Sequence, residues 1–176
     1  MAKSKRKNVG VYNINLTRLS KILCFLIIGL GVLATVFILA PGLISQTDDI
    51  HTGLQITFGE KWFATDYVRQ YIPFSILAFM GYFFPLGAAI LMVLNIDKEN
   101  KWFDIASSIL LLASVILIAL IPRYISFVKE NEITATVTKA LVEGKLGWGS
   151  QLTLAFSFVG TIASLLKWFS DAYEAK

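Results

Sequence analysis

ILCFLIIGLGVLATVFILA, residues 22–40, holds no Asp, Glu, Lys, Arg or His. Three further stretches share that property: 72–96, 105–121 and 152–166. A hydrocarbon core of about 30 Å takes roughly 20 apolar residues of helix to cross. Each run approaches that length, and flanking aromatic and small residues extend the shorter ones. The sequence therefore predicts an all-α membrane protein, an antiparallel bundle of four transmembrane helices at about 22–40, 72–96, 104–122 and 150–168. The outer segments 41–71 and 123–149 would carry a small extracytoplasmic β-element. The four helices and their connections use nearly all of residues 1–176, so a single four-pass domain is expected.

Composition agrees. The chain is 56% hydrophobic with a mean hydropathy of +0.66. A soluble domain of 176 residues has too little interior to hide that much apolar surface. The single cysteine, Cys24, excludes an intramolecular disulfide and lies at the start of the first run, where a buried thiol is expected. The basic start followed by an apolar run of 19 residues reads as a retained signal anchor, because a cleavable signal core is about 7–15 residues long.

The net charge of +4 is distributed by segment. Ten of the sixteen basic residues fall in segments 1–21, 97–104 and 167–176, which carry a net +5; the outer segments carry a net −1. Basic residues in short loops set orientation, so both termini are placed in the cytoplasm, with the protein in the cell membrane. Lys3, Lys5, Arg6 and Lys7 form a basic arm suited to anionic lipid head groups. A nucleic-acid site would need a longer basic stretch with interleaved aromatics, so no nucleic-acid partner is expected.

Between the runs the pattern changes. Leu54, Ile56 and Phe58 alternate with Gln55 and Thr57 between Gly53 and Gly59, which reads as a half-buried strand. Ile133, Ala135 and Val137 alternate with three threonines, which reads as a second strand. An isolated strand is unstable, so the two are expected to pair. Residues 1–20 are read as polar and ordered only near the membrane. Pro85, with Gly81 and Gly87, predicts a kink near residues 81–85 of the second helix. Trp148 and Trp168, twenty residues apart, frame the last helix as interface anchors.

Gly149, Thr153, Ser157, Gly160 and Ser164 advance by fours and threes, placing small residues on one face of the fourth helix. This is the candidate helix-packing face, first within the bundle and second toward a partner. Leu154, Phe158 and Leu165 form the opposite, lipid-facing side. Ser107 and Ser114 are read as packing positions whose hydroxyls bond the preceding carbonyls of their own helix. Asp48, Asp49, His51 and Trp62 are the candidate outer surface. Asp48, Asp49 and His51 alone resemble a metal or acid–base group, but a site needs three or four convergent ligands and no others are identifiable, so a solvated loop is preferred. There is no Gly-x-Ser-x-Gly elbow, phosphate-binding glycine loop, Cys-x-x-Cys or His-Glu-x-x-His. The sequence therefore implies no catalytic residue, cofactor or metal.

Two stretches carry a resemblance. Residues 52–59, Thr-Gly-Leu-Gln-Ile-Thr-Phe-Gly, and residues 145–149, Lys-Leu-Gly-Trp-Gly, resemble segments of small, uncharacterised four-pass membrane proteins of low-GC Gram-positive bacteria and mollicutes. The layout is also similar to that of claudin-like tetraspan proteins, without their loop cysteines. The resemblance implies an extracellular sheet on a four-helix bundle. The resulting expectation is a non-enzymatic membrane protein acting through helix packing and its outer loops, as an interaction or assembly component that self-associates or binds a membrane-protein partner. The alternatives are an accessory subunit of a transporter or channel, and a membrane-embedded enzyme acting on lipid.

Overall fold

The computed structural model describes residues 5–45, 49–65, 68–96, 100–131, 133–141 and 144–174, with the side chains of 5–17, 62–65 and 173–174 excepted. Its long helices are α1 (Lys5–Val36), α3 (Ile76–Asn95), α4 (Lys101–Ala119) and α6 (Trp148–Glu174). Two short helices, α2 (Gly53–Phe58) and α5 (Ile121–Tyr124), lie at the end where the strands gather. Four helical segments are long and apolar enough to cross a membrane: Arg18–Leu39, Ile76–Asn95, Lys101–Ala119 and Trp148–Ala172. α1 packs on α3 and α6, and α4 packs on α3 and α6, so the four close a ring.

The bundle has large apolar residues outside and small polar ones inside. Ile22, Phe25 and Ile109 are each more than 60% exposed, and Ile90, Phe158 and Leu166 are also exposed. Ser107, Ser114, Thr153, Ser157 and Ser164 have no exposure. A soluble bundle would bury the first group and solvate the second. In lipid the order reverses, because close packing and interhelical hydrogen bonds replace hydrophobic burial as the force between helices. The four long apolar helices, with this order of side chains, suggest a multi-pass membrane protein.

The interior hydroxyls have specific acceptors. Pro85 has no N–H, so the Gly81 carbonyl one turn earlier lacks its helical donor. Ser114 on α4 donates to that carbonyl at 2.6 Å, and Ser157 on α6 lies 3.2 Å from Ser114. Ser107 donates to the Ala88 carbonyl of α3. Ser107 and Ser114 thus bond the neighbouring helix, where the sequence pointed to carbonyls of their own.

Strands β1 (Pro41–Ser45), β2 (Ile50–Thr52) and β7 (Gly144–Leu146) form one antiparallel sheet in the order β2-β1-β7. Strands β3 (Glu60–Thr65), β4 (Val68–Ile72), β5 (Ser126–Asn131) and β6 (Thr136–Leu141) form a second, in chain order. Both stand at one end of the bundle, opposite the chain termini. The two outer segments do pair, but through β4 with β5 and β1 with β7.

Several expectations are corrected here. The alternating stretch at 54–58 is a helix. Thr52 accepts from the Gln55 N–H while the Gln55 side chain accepts from the Thr52 N–H, a reciprocal capping box that starts a helix. Gly59, at φ +89°, ends it. Ile56 is then buried while Leu54 and Phe58, one turn apart, share the exposed side. The second stretch splits: residues 133–135 turn, with the N–H groups of Ile133 and Thr134 donating to the Asn131 side chain, and β6 begins at Thr136. Ile133 and Val137 are exposed. Helix α1 begins seventeen residues before the first apolar run, at Lys5, and α6 runs past Trp168 to Glu174. Residues 72–75 precede α3, which starts at the Ser75 cap.

Replacing Ser114 by Ala removes a side-chain donor from the Gly81 carbonyl and should cost about 1–3 kcal/mol. Thermal unfolding in detergent reads this. In a Pro85→Ala background the restored N–H can donate to Gly81, so the same serine replacement should cost less.

Candidate functional site

Two ionisable residues that flank apolar runs, Asp104 and Lys167, meet at one end of the bundle, with Asp171 beside them. Asp104 lies in the first turn of α4 and has no exposure; Lys167 and Asp171 lie one turn apart on α6 and are buried. Lys167 Nζ donates to Asp171 Oδ2 at 2.7 Å and reaches Asp104 Oδ1 at 3.0 Å. Asn95, the last residue of α3, donates from Nδ2 to the same Asp104 oxygen at 2.9 Å and accepts from the Asn100 N–H at 2.7 Å. Asn100 in turn caps α4 through the Trp102 N–H. Ser108 and Ser164 both donate to the Asp104 carbonyl, each at 3.0 Å. Cys24 of α1 packs beside this group and donates to the Met92 carbonyl. One ion network therefore fastens three helices.

From sequence, Lys167 counts among the cytoplasmic charges that set orientation, and Asp104 opens the third helix at about 104–122. The available signal was local: both residues directly flank an apolar run, and Lys167 and Asp171 are spaced i,i+4 on a helix. An ionisable residue at a helix end inside a bundle marks a site by default, because leaving it unpaired in lipid is costly. The cluster is shut off from solvent. A groove of about 350 Å³ between α4 and α6 is lined by Ile105, Ile109, Leu112, Leu165 and Trp168 with the hydroxyl residues Ser108 and Thr161.

The small face of α6 lies within the chain's own bundle. Gly149, Thr153, Ser157, Gly160 and Ser164 are all buried. Thr153 Oγ1 lies 2.9 Å from the Ala34 carbonyl of α1. A Cβ at Gly149 would meet Ala40 Cβ at 2.7 Å and the Phe37 carbonyl at 2.9 Å, so only glycine lets the start of α6 approach that turn. At Gly160 a Cβ would meet only the end of the Leu111 side chain, at 3.2 Å. Phe158 and Leu165 face outward, whereas Leu154 packs on the core at the sheet end, contrary to its placement toward lipid.

Asp48 lies outside the described residues. Asp49 is exposed, and its carbonyl accepts from the Ser45 N–H. His51 is buried in β2, with Nδ1 3.3 Å from Glu60 Oε2 and its ring 5.4 Å from that of Phe127. Glu60 also accepts from Gln55 Nε2 at 2.7 Å, so it ties β2 to the capped helix. Trp62 sits in β3 opposite Gln70; its side chain is outside the description. No group of three His, Cys, Asp or Glu side chains that could hold a metal is found among the described residues. Of the basic arm, Lys3 lies outside the described residues, and Lys5, Arg6 and Lys7 have only their backbone described, in α1.

At the sheet end, Tyr71 donates to Glu130 at 2.9 Å across β4 and β5, and this bond holds its phenol above the ordinary tyrosine range. Burial raises the Tyr124 phenol as well, and its hydroxyl donates to the Leu117 carbonyl. Compared with protein-family models, curated proteins and solved structures, the chain matches none.

Lys167→Met should destabilise the bundle by about 3–5 kcal/mol, because it strands two buried carboxylates. The triple replacement Asp104→Asn, Lys167→Met and Asp171→Asn should cost less than Lys167→Met alone. Chemical or thermal unfolding of the two variants in the same detergent makes the comparison.

Proposed function

We propose that this chain is a non-enzymatic interaction component of the membrane, assembling through the free edge of its four-stranded sheet. The observation that supports this reading is β6. All six of its residues are exposed, and among the described residues it pairs on one side only, with β5. An edge strand offers a row of unpaired backbone groups to another strand. Val137 and Leu141 add apolar surface, each at least 60% exposed. The partner we favour is a second copy of the chain. Antiparallel pairing of two β6 strands about Thr138 sets Thr138 opposite its own copy and Lys139 opposite Val137, so the lysines avoid each other. Such a contact is the self-complementary kind that two-fold dimers use.

In this reading the sheets are extracytoplasmic, both termini are cytoplasmic and the arm at Lys3, Lys5, Arg6 and Lys7 lies on anionic lipid. The charge asymmetry of the connecting segments supports that orientation. A cysteine at Ile133 should react with an impermeant thiol reagent on intact cells, and one at Lys101 should not. The reverse pattern would invert the topology.

Native mass spectrometry from nanodiscs tests the assembly. The wild-type chain should be dimeric, and Val137→Asp, at an exposed position, should give monomer of unchanged thermal stability. A monomeric wild type without a stoichiometric partner, or a dimer indifferent to Val137→Asp, would overturn the reading. A second reading, an accessory subunit of a transporter or channel, is favoured by one observation alone: the buried Asp104–Lys167–Asp171 network inside a membrane bundle.

A further inference from the structure

We propose that the Asp104–Lys167–Asp171 cluster is a binding site for one monovalent cation, a proton or an alkali ion. The argument begins with charge. Two carboxylates and one ammonium leave the cluster at −1 when all three are ionised. The side chains facing it supply no second cation among the described residues: Asn95 from α3, Ser108 from α4, Ser164 from α6 and the Cys24 thiol from α1. Arg18, Lys21 and Lys101, the nearest described cations in sequence, are exposed. An uncompensated charge removed from water is among the most costly arrangements a protein can hold, and lipid around the bundle makes it worse.

A second observation is independent of the count. Asp104 Oδ2 is buried in a side chain of no exposure and makes no hydrogen bond, whereas its partner oxygen Oδ1 takes both Lys167 and Asn95. Ser170 Oγ, on α6 between Lys167 and Asp171, is also buried without a partner. A bare carboxylate oxygen in a cluster carrying one negative charge too many is a place for one positive charge. A proton would convert one carboxylate to a carboxylic acid, with a hydronium giving up its proton and leaving as water. An alkali ion would instead take the oxygen as a ligand. Both neutralise the cluster, and both fasten the ends of α3, α4 and α6.

Two measurements on the purified full chain in detergent decide it. Infrared spectroscopy with aspartate carboxyl-labelled protein looks for a protonated carboxylic acid near neutral pH. Thermal unfolding is followed against pH, and against sodium or potassium chloride exchanged for choline chloride at constant ionic strength. If the ligand is a proton, the acid band is present and is lost in Asp171→Asn or Asp104→Asn. The melting temperature then falls as pH rises through the range where the band disappears, because the native state holds a proton the unfolded chain releases. If the ligand is an alkali ion, the band is absent and the melting temperature rises with sodium or potassium. In Asp171→Asn the remaining Lys167–Asp104 pair is neutral, so either dependence should vanish. An absent acid band together with indifference to both salts in the wild type would overturn the proposal. So would an Asp171→Asn variant that folds and keeps the full wild-type dependence. Should that variant not fold, the wild-type measurements alone decide.

Discussion

Pro85 leaves the Gly81 carbonyl without its helical donor, and the outer surface of α3 offers no substitute. In water such a carbonyl would be solvated. In a bundle whose exposed side chains are Ile, Leu and Phe, the donor must come from inside the protein. Ser114 supplies it, and Ser157 stands behind Ser114. The same requirement recurs along the interior. Thr153 answers the Ala34 carbonyl, Ser107 the Ala88 carbonyl, and Ser164 with Ser108 the Asp104 carbonyl. Each pair fixes the height of one helix against another, so the hydroxyls set the register of the bundle while apolar contacts fill it.

At its two ends the bundle uses different fasteners. At the sheet end the buried Tyr82 hydroxyl lies 2.6 Å from Ser150 Oγ, which donates to the Gly42 carbonyl of β1, tying α3, α6 and the first sheet together. At the terminal end the fastener is ionic. Lys167 reaches two carboxylates, and Asn95 carries the network across the turn to α3. A hydroxyl pair is content in either charge environment, whereas an ion cluster must balance. The terminal fastener therefore depends on charge balance, which the Tyr82–Ser150 contact does not.

The outer strands show how local chemistry can outvote a pattern. Leu54, Ile56 and Phe58 alternate as a strand would, yet Thr52 and Gln55 cap a helix. Five or six residues of alternation are compatible with both structures, and the reciprocal hydrogen bonds favour one. Of the strands that join the two outer segments, β4 and β5 carry no such clean alternation; their register is set by pairing between chain segments far apart in sequence. Neither a helix-period nor a strand-period test applied to one segment at a time can detect that.

Residues 22–40, 72–96, 105–121 and 152–166 determined by themselves that four helices would be long and apolar enough for a membrane, because length and the absence of charge are local properties. The spacing of Gly149, Thr153, Ser157, Gly160 and Ser164 likewise placed small residues on one face of α6, because helical periodicity alone brings them together. Tertiary structure decided what those residues meet: Thr153 on α1, Ser157 and Ser164 on α4. It also decided that Asp104, Lys167 and Asp171 form one buried cluster. Asp104 stands 63 residues before Lys167 in the chain, and only the packing of α4 against α6 brings their charges within 3.0 Å. A charge at the end of an apolar run looks the same in sequence whether it faces water or a partner of opposite sign. The neighbouring helix makes the difference.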